Sequence, residues 1–160
     1  MIRPAEQKDA AAIGRIYSAG WKAAYVGLMP GFFLDALTPA NCAPKPDHIA
    51  PKRRFVAELE GEAVGTVTFG EGREEASLAE IQSLYVLPEQ WRRGQGSALF
   101  RAVCDWAKAK DFPGLYLWSL EGNAGANAFF VRMGMTPTGA KRETEFAGAL
   151  LPEVQYELKW

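Results

Sequence analysis

The 160 residues contain a single histidine, His48, and only two cysteines, Cys42 and Cys104. Two thiols cannot build a disulfide framework. Neither falls in a Cys-x-x-Cys or Cys/His spacing that holds zinc, so no metal is expected. Cys104 lies on the apolar side of a predicted helix, where a thiol behaves as a small buried hydrophobe. Charge of one sign is also lacking. The 18 Lys and Arg against 19 Asp and Glu leave a formal net charge of -1, with no general pull on nucleic acid. The one local exception, Lys45, His48, Lys52, Arg53 and Arg54, reads as a solvated loop leading into a basic strand start. No apolar run is long enough to span a membrane, and Met1-Ile2-Arg3-Pro4 does not open a signal peptide. A cytoplasmic location is the expectation by elimination. Repeats and low-complexity tracts are absent. The remaining composition, 48% apolar and 23% charged, is that of a folded chain, read as one domain over 1–160.

Periodicity divides the chain. Ile2 to Ala5 reads as a short strand. Asp9 then introduces a helix with Ile13, Ile16, Tyr17, Trp21 and Ala24 on one face. Pro30 starts a short helix over Gly31 to Leu37. The stretch Thr38 to Lys52, with four prolines and little periodicity, reads as a long loop. Phe55 to Leu59 and Ala63 to Phe69 flank Glu60-Gly61-Glu62 as a β-hairpin. Ile81 to Leu87 is the next strand, followed by a helix from Gly94 to Lys110 with Leu99, Phe100, Val103, Trp106 and Ala107 inward. Leu115 to Leu120 is dense in apolar residues and reads as a central strand. Ala124 to Met133 is helical and Gly134 stops it. Two late strands lie near Pro137 to Glu143 and Glu153 to Lys159. This order predicts an α/β (α+β) fold, a mixed sheet with helices on its faces.

The densest signal is Leu84-Tyr85-Val86-Leu87-Pro88-Glu89-Gln90-Trp91-Arg92-Arg93-Gly94-Gln95-Gly96-Ser97-Ala98: a strand, a basic glycine turn, then a helix. The first N–H groups of a helix lack internal partners and carry the positive end of its dipole. Gly94 and Gly96 leave them open to a phosphate, and Arg92 and Arg93 add full charges. No lysine follows as in a Walker loop, and the third glycine of a dinucleotide fingerprint is missing. The turn instead fits Arg/Gln-x-x-Gly-x-Gly/Ala. A second segment, Asn123-Ala124-Gly125-Ala126-Asn127-Ala128-Phe129-Phe130-Val131-Arg132-Met133-Gly134-Met135, fits Asn-x-x-Ala-x-x-Phe-Tyr-x-x-x-Gly-Phe.

Both segments, with Ile2-Arg3-Pro4-Ala5 and Trp21-Lys22-Ala23-Ala24-Tyr25 at the entry, resemble the GNAT superfamily of N-acetyltransferases. The resemblance is weakest from Pro30 to Arg54. It implies a mixed, mostly antiparallel sheet of six to seven strands flanked by about four helices. It also implies acetyl-CoA as acetyl donor and direct attack by a primary amine of a small-molecule or peptide acceptor. A homodimer is plausible on the same ground. The residues it assigns to the cofactor are Leu84, Tyr85 and Val86 on the strand, Arg92, Arg93, Gly94, Gln95, Gly96, Ser97 and Ala98 at the turn, and Asn123, Ala126, Phe129 and Phe130 on the later helix. Asn123 also fits a helix N-cap.

The amine must lose a proton, and Glu80 is the candidate base, with Gln82 orienting a water; a solvated strand-end carboxylate is the competing reading of Glu80. Alternation puts Glu80, Gln82, Leu84 and Val86 on one face and Ile81, Ser83, Tyr85 and Leu87 on the other. The family's usual proton-donating tyrosine falls at Phe130, which has no hydroxyl. The thiolate leaves unprotonated, or Tyr116, Tyr156 or Ser119 substitutes, or the chain binds acyl-CoA without catalysis. Tyr17, Trp21 and Tyr25 stand one helical turn apart, a spacing that usually marks core. In the family the turn after this helix borders the acceptor, which makes Tyr25 and Phe32 candidate acceptor residues and suits a small or amphipathic amine.

Overall fold

The computed structural model describes residues 1–49 and 53–160. The end of the expected loop, including Lys52, lies outside the described residues. Seven strands, β1 (Ile2–Pro4), β2 (Arg54–Leu59), β3 (Glu62–Glu71), β4 (Ala79–Val86), β5 (Gly114–Leu120), β6 (Thr136–Phe146) and β7 (Ala149–Lys159), form one sheet in the order β1-β2-β3-β4-β5-β7-β6. Every neighbouring pair is antiparallel except β4 and β5, which run parallel. Five helices join them: α1 (Ala10–Tyr25), α2 (Gly31–Asp35), α3 (Pro39–Cys42), α4 (Gln95–Ala109) and α5 (Ala124–Arg132). No described helix is long and apolar enough to cross a membrane.

The helices divide between the two faces because the strands carry apolar residues on both. Thr68 and Phe69 are consecutive in β3 and point oppositely. The Thr68 hydroxyl meets Tyr17 of α1 at 3.4 Å, whereas the Phe69 ring lies 4.9 Å from Trp106 of α4. Leu99, Phe100, Val103, Cys104 and Ala107 are the buried residues of α4. At the start of α1, Asp9 is buried and receives two hydrogen bonds from the Arg3 guanidinium, at 2.8 and 2.9 Å. A third, from the Glu6 N–H at 2.7 Å, closes a turn that ties β1 to the helix.

The described part of the stretch expected as loop from Thr38 onward contains α3 and a 3₁₀ turn at Pro46–His48. Local chemistry explains the helix. Thr38 Oγ1 accepts from the Asn41 N–H at 3.1 Å, and Asn41 Oδ1 accepts from the Thr38 N–H at 2.8 Å. Pro39 occupies the first helical turn, where its missing N–H costs nothing. Gly14 of α1 then lets the backbone of α3 come close: a Cβ there would stand 2.1 Å from the Pro39 carbonyl oxygen. The late strands also exceed the expected ranges, reaching Phe146 and beginning again at Ala149. Ala147 and Gly148 both take positive φ, 50° and 82°, the geometry of a two-residue hairpin turn.

Candidate active site

A bulge and a splay in the sheet set the site. Thr68 pairs with Ser83 and Phe69 with Ile81, so Gln82 is an extra residue in β4. Strict alternation fails there. Gly70, Thr68 and Thr66 share one face of β3, and their partners Glu80, Ser83 and Tyr85 share the α1 face. Ile81, Leu84 and Val86 take the α4 face through Phe69, Val67 and Gly65. The expected grouping of Glu80 with Leu84 and Val86 is therefore corrected. Beyond Ile81↔Leu117, β4 and β5 no longer pair with each other. β4 continues along β3 to Val86, and β5 continues along β7 to Leu120. The wedge between them exposes main-chain edges of both strands.

At the exit of β4 the Trp91 indole N–H donates to the Val86 carbonyl at 2.8 Å and fixes the turn. Arg92 and Gly94 take positive φ, 62° and 85°, either side of Arg93. Alternating backbone hand turns successive N–H groups toward one point, a concavity for an anion. Arg92, Arg93 and Gly94 are all solvent-exposed. α4 starts directly after, with its unpaired N–H groups aimed at the same place. On α5, Asn123 caps the helix by accepting from the Ala126 N–H at 3.4 Å.

A single cleft of about 1180 Å³ runs from this turn through the wedge to α1. Of the residues assigned to the cofactor, Leu84, Tyr85, Val86, Arg92, Gly94, Gly96, Ser97, Asn123, Ala126, Phe129 and Phe130 line it. Arg93, Gln95 and Ala98 do not. The family model described as the acetyltransferase (GNAT) family matches residues 16–135, both segments included. The chain belongs to the GNAT acetyltransferase family. It is similar to the uncharacterized N-acetyltransferase YuaI of Bacillus subtilis, 27% identical over 156 residues, covering 96% of this chain and 89% of that one. Its fold is similar to that of the PaiA N-acetyltransferase of Thermoplasma acidophilum in complex with coenzyme A, with TM-score 0.75 at 16% identity, covering 100% and 98% of the two chains. It is also similar to YncA of Salmonella typhimurium with its cofactor acetyl-CoA, with TM-score 0.73 at 22% identity, covering 99% and 92%. This family uses acetyl-CoA as its acetyl donor.

Within this GNAT cleft the catalytic candidates fare unevenly. Gln82 and Ser119 line it; Glu80, Tyr116 and Tyr156 do not. Glu80 is 2% exposed and is neither solvated nor free. Its Oε2 accepts from the Arg73 N–H at 3.0 Å, Arg73 Nε at 3.1 Å and the Tyr116 hydroxyl at 3.2 Å. Its Oε1 accepts from Arg73 Nη2 at 2.6 Å. Burial pushes its pKa up, but the Arg73 hydrogen bonds and charge outweigh it, and the carboxyl sits below its ordinary range. A carboxylate so committed ties the β3–β4 connection to the sheet, and it does not line the cleft. The Tyr116 hydroxyl is spent on the same network, with the Glu74 N–H donating to it at 3.1 Å, and burial raises its pKa. Tyr156 is buried against the Phe130 ring, centroids 6.0 Å apart.

Tyr25 lines the cleft, whereas Phe32 is 71% exposed and stays outside it. Helical turns carry α2 past the cleft with Leu34, not Phe32, inward. Among the lining residues that sequence reasoning did not assign to a site are Trp21, Trp118, Arg132, Phe146 and Glu153. Phe146 lies beyond the expected end of β6, and Glu153, at the start of an expected strand, reaches the cleft only through the pairing of β7 with β5.

Proposed function

We propose that this chain moves the acetyl group of acetyl-CoA to a primary amine by direct attack within a ternary complex. The observation that carries the reading is the continuity of one cleft from an anion-binding turn, through the strand wedge, to the α1 face. The open end of α4 with Arg92 suits a diphosphate, and the wedge suits a narrow pantetheine arm flanked by unpaired strand edges. Acetyl-CoA supplies the activated thioester. Main-chain N–H groups of β4 within the wedge hold the acetyl oxygen as it gains charge. Gln82, exposed at the bulge, orients water for the proton lost by the amine. Ser119 is nearly buried, lines the cleft and donates to Asn127 Oδ1 at 2.7 Å. One turn of α5 separates Asn127 from Phe130, so the Ser119 hydroxyl, on turning from Asn127 to the departing sulfur, is assigned the hydrogen-bond-donor role that Phe130 lacks.

The test is a thermal-shift titration with acetyl-CoA, with coenzyme A and NAD in parallel, followed by release of free coenzyme A with an amine panel. A ligand at 100 times its Kd adds about 2.7 kcal/mol to the native state. Shifts with both coenzyme A species but not NAD, then amine-dependent release, support the reading; no shift overturns it. Ser119→Ala lowers kcat while leaving the acetyl-CoA shift intact. A non-catalytic acyl-CoA-binding role is favoured by one observation, the absence of a hydroxyl at Phe130. It predicts the thermal shift without any release of coenzyme A.

A further inference from the structure

The cleft is polarised along its length. Among the residues lining it, Arg92 and Arg132 lie on the glycine-turn and α5 side, and Glu153 of β7 is the one carboxylate. Glu153 pairs with Leu120 of β5 and therefore shares the α1 face with Trp118 and Leu120. It is mostly buried, at 13% side-chain exposure. Arg142 Nε donates to its Oε1 at 3.0 Å, and its Oε2 has no hydrogen-bond partner among the described residues. Arg142 stacks 4.3 Å above the Trp118 ring and bonds Glu74 as well, so one guanidinium serves two carboxylates and the group stays net negative.

Around that carboxylate the walls are aromatic. Trp21 lies edge-on to Tyr25 at 5.2 Å and to Phe146 at 5.4 Å, and tilted against Tyr85 at 6.3 Å. The Tyr25 and Tyr85 hydroxyls bond each other at 2.9 Å, and burial raises the pKa of both, keeping them neutral. A chamber with ring faces, neutral hydroxyls and one free carboxylate oxygen matches a cation joined to a flat apolar group. A polyamine needs several carboxylates, and a peptide needs main-chain partners that ring faces do not offer.

Building on the transferase reading above, we infer that the acceptor is an arylalkyl primary amine, its ring held by Trp21, Tyr25 and Phe146 and its ammonium drawn in by Glu153. The ammonium loses one proton and its nitrogen bonds the acetyl carbon. The carbon–sulfur bond breaks, the nitrogen sheds its second proton as the amide forms, and the thiolate takes up that proton to leave as coenzyme A, the first proton having gone to bulk water.

Initial rates with phenethylamine, hexylamine, spermidine and an alanine-initiated tetrapeptide test this, each on the parent, Glu153→Gln and Trp21→Leu. Glutamine still accepts from Arg142, so the hairpin is retained. Phenethylamine is expected to lead hexylamine by about tenfold in kcat/KM. Glu153→Gln is expected to raise its KM about tenfold, with the KM for acetyl-CoA unmoved. Spermidine or the peptide leading, no transfer to any of the four, or an unchanged phenethylamine KM in Glu153→Gln overturns the inference. An acetyl-CoA thermal shift on the same preparations separates the two readings. If it persists, only the acceptor class falls; if it is absent, the transferase reading falls too.

Discussion

Glu80→Gln separates a structural carboxylate from a catalytic one. Hydrogen bonds to a charged group contribute about 1.5–3 kcal/mol each, and Glu80 accepts four, three from Arg73 and one from Tyr116. The Arg73 side chain is 59% exposed, so water recovers much of its part. Glutamine keeps one acceptor oxygen but turns an N–H toward the Arg73 fork. A loss of about 2 kcal/mol follows, which lowers Tm by roughly 4–8 °C in a domain of this size. The sign of the pH dependence is set by a folded pKa below the ordinary 4.5. The contribution is complete above that value and drains away as pH falls through the lower folded pKa. The Tm gap between parent and variant is therefore widest near neutral pH and narrows in acid. Differential scanning fluorimetry from neutral pH down through and below the ordinary carboxylate pKa of 4.5 reads the gap, and the pH–rate profile is recorded beside it. An unchanged Tm, with turnover lost and the acidic limb of the profile abolished, would refute the argument and restore Glu80 as the base.

Gly96→Asp is expected to abolish the acetyl-CoA thermal shift while sparing the fold. A Cβ at Gly96 meets the Phe129 ring at 3.4 Å and Leu84 Cδ2 at 3.9 Å, which side chains can absorb, but the carboxylate repels a phosphate at the helix end. Gly14→Ala forces α3 away from α1, because the new Cβ would stand 2.1 Å from the Pro39 oxygen. Overpacking of this kind costs about 1–3 kcal/mol, read as a Tm fall of roughly 2–12 °C. Burial pushes the Cys104 thiol up to about 11, so a thiol reagent at neutral pH should label Cys42 first and Cys104 only on unfolding.

Local signals carried much of the fold. Apolar periodicity marks α1, α4 and α5, Glu60-Gly61 marks the first hairpin, and the dense run from Leu115 marks the central strand. The capping pair Thr38 and Asn41 was also present in the sequence, but four prolines around it masked a four-residue helix. The glycine turn was legible because its physics is local: a strand end, two glycines, two arginines and a helix start, all within one short segment.

The acceptor side was not legible in this way. Gln82 looks like any other strand residue; only its pairing with β3 shows that it is bulged, and that bulge moves Glu80 and Ser83 onto one face. Glu80 looked free because Arg73 and Tyr116, which bind it, lie on separate elements. Phe146 and Glu153 reach the cleft through a hairpin whose outer run, Phe146 to Pro152, is apolar at consecutive positions and so lacks the alternation that marks a strand. The sequence by itself determined the longer helices, most of the strands and the glycine turn ahead of α4, where each contact is made by near neighbours. Tertiary structure alone decided the partners of Glu80 and Glu153 and the aromatic chamber, because those contacts join residues on separate elements that no local pattern links.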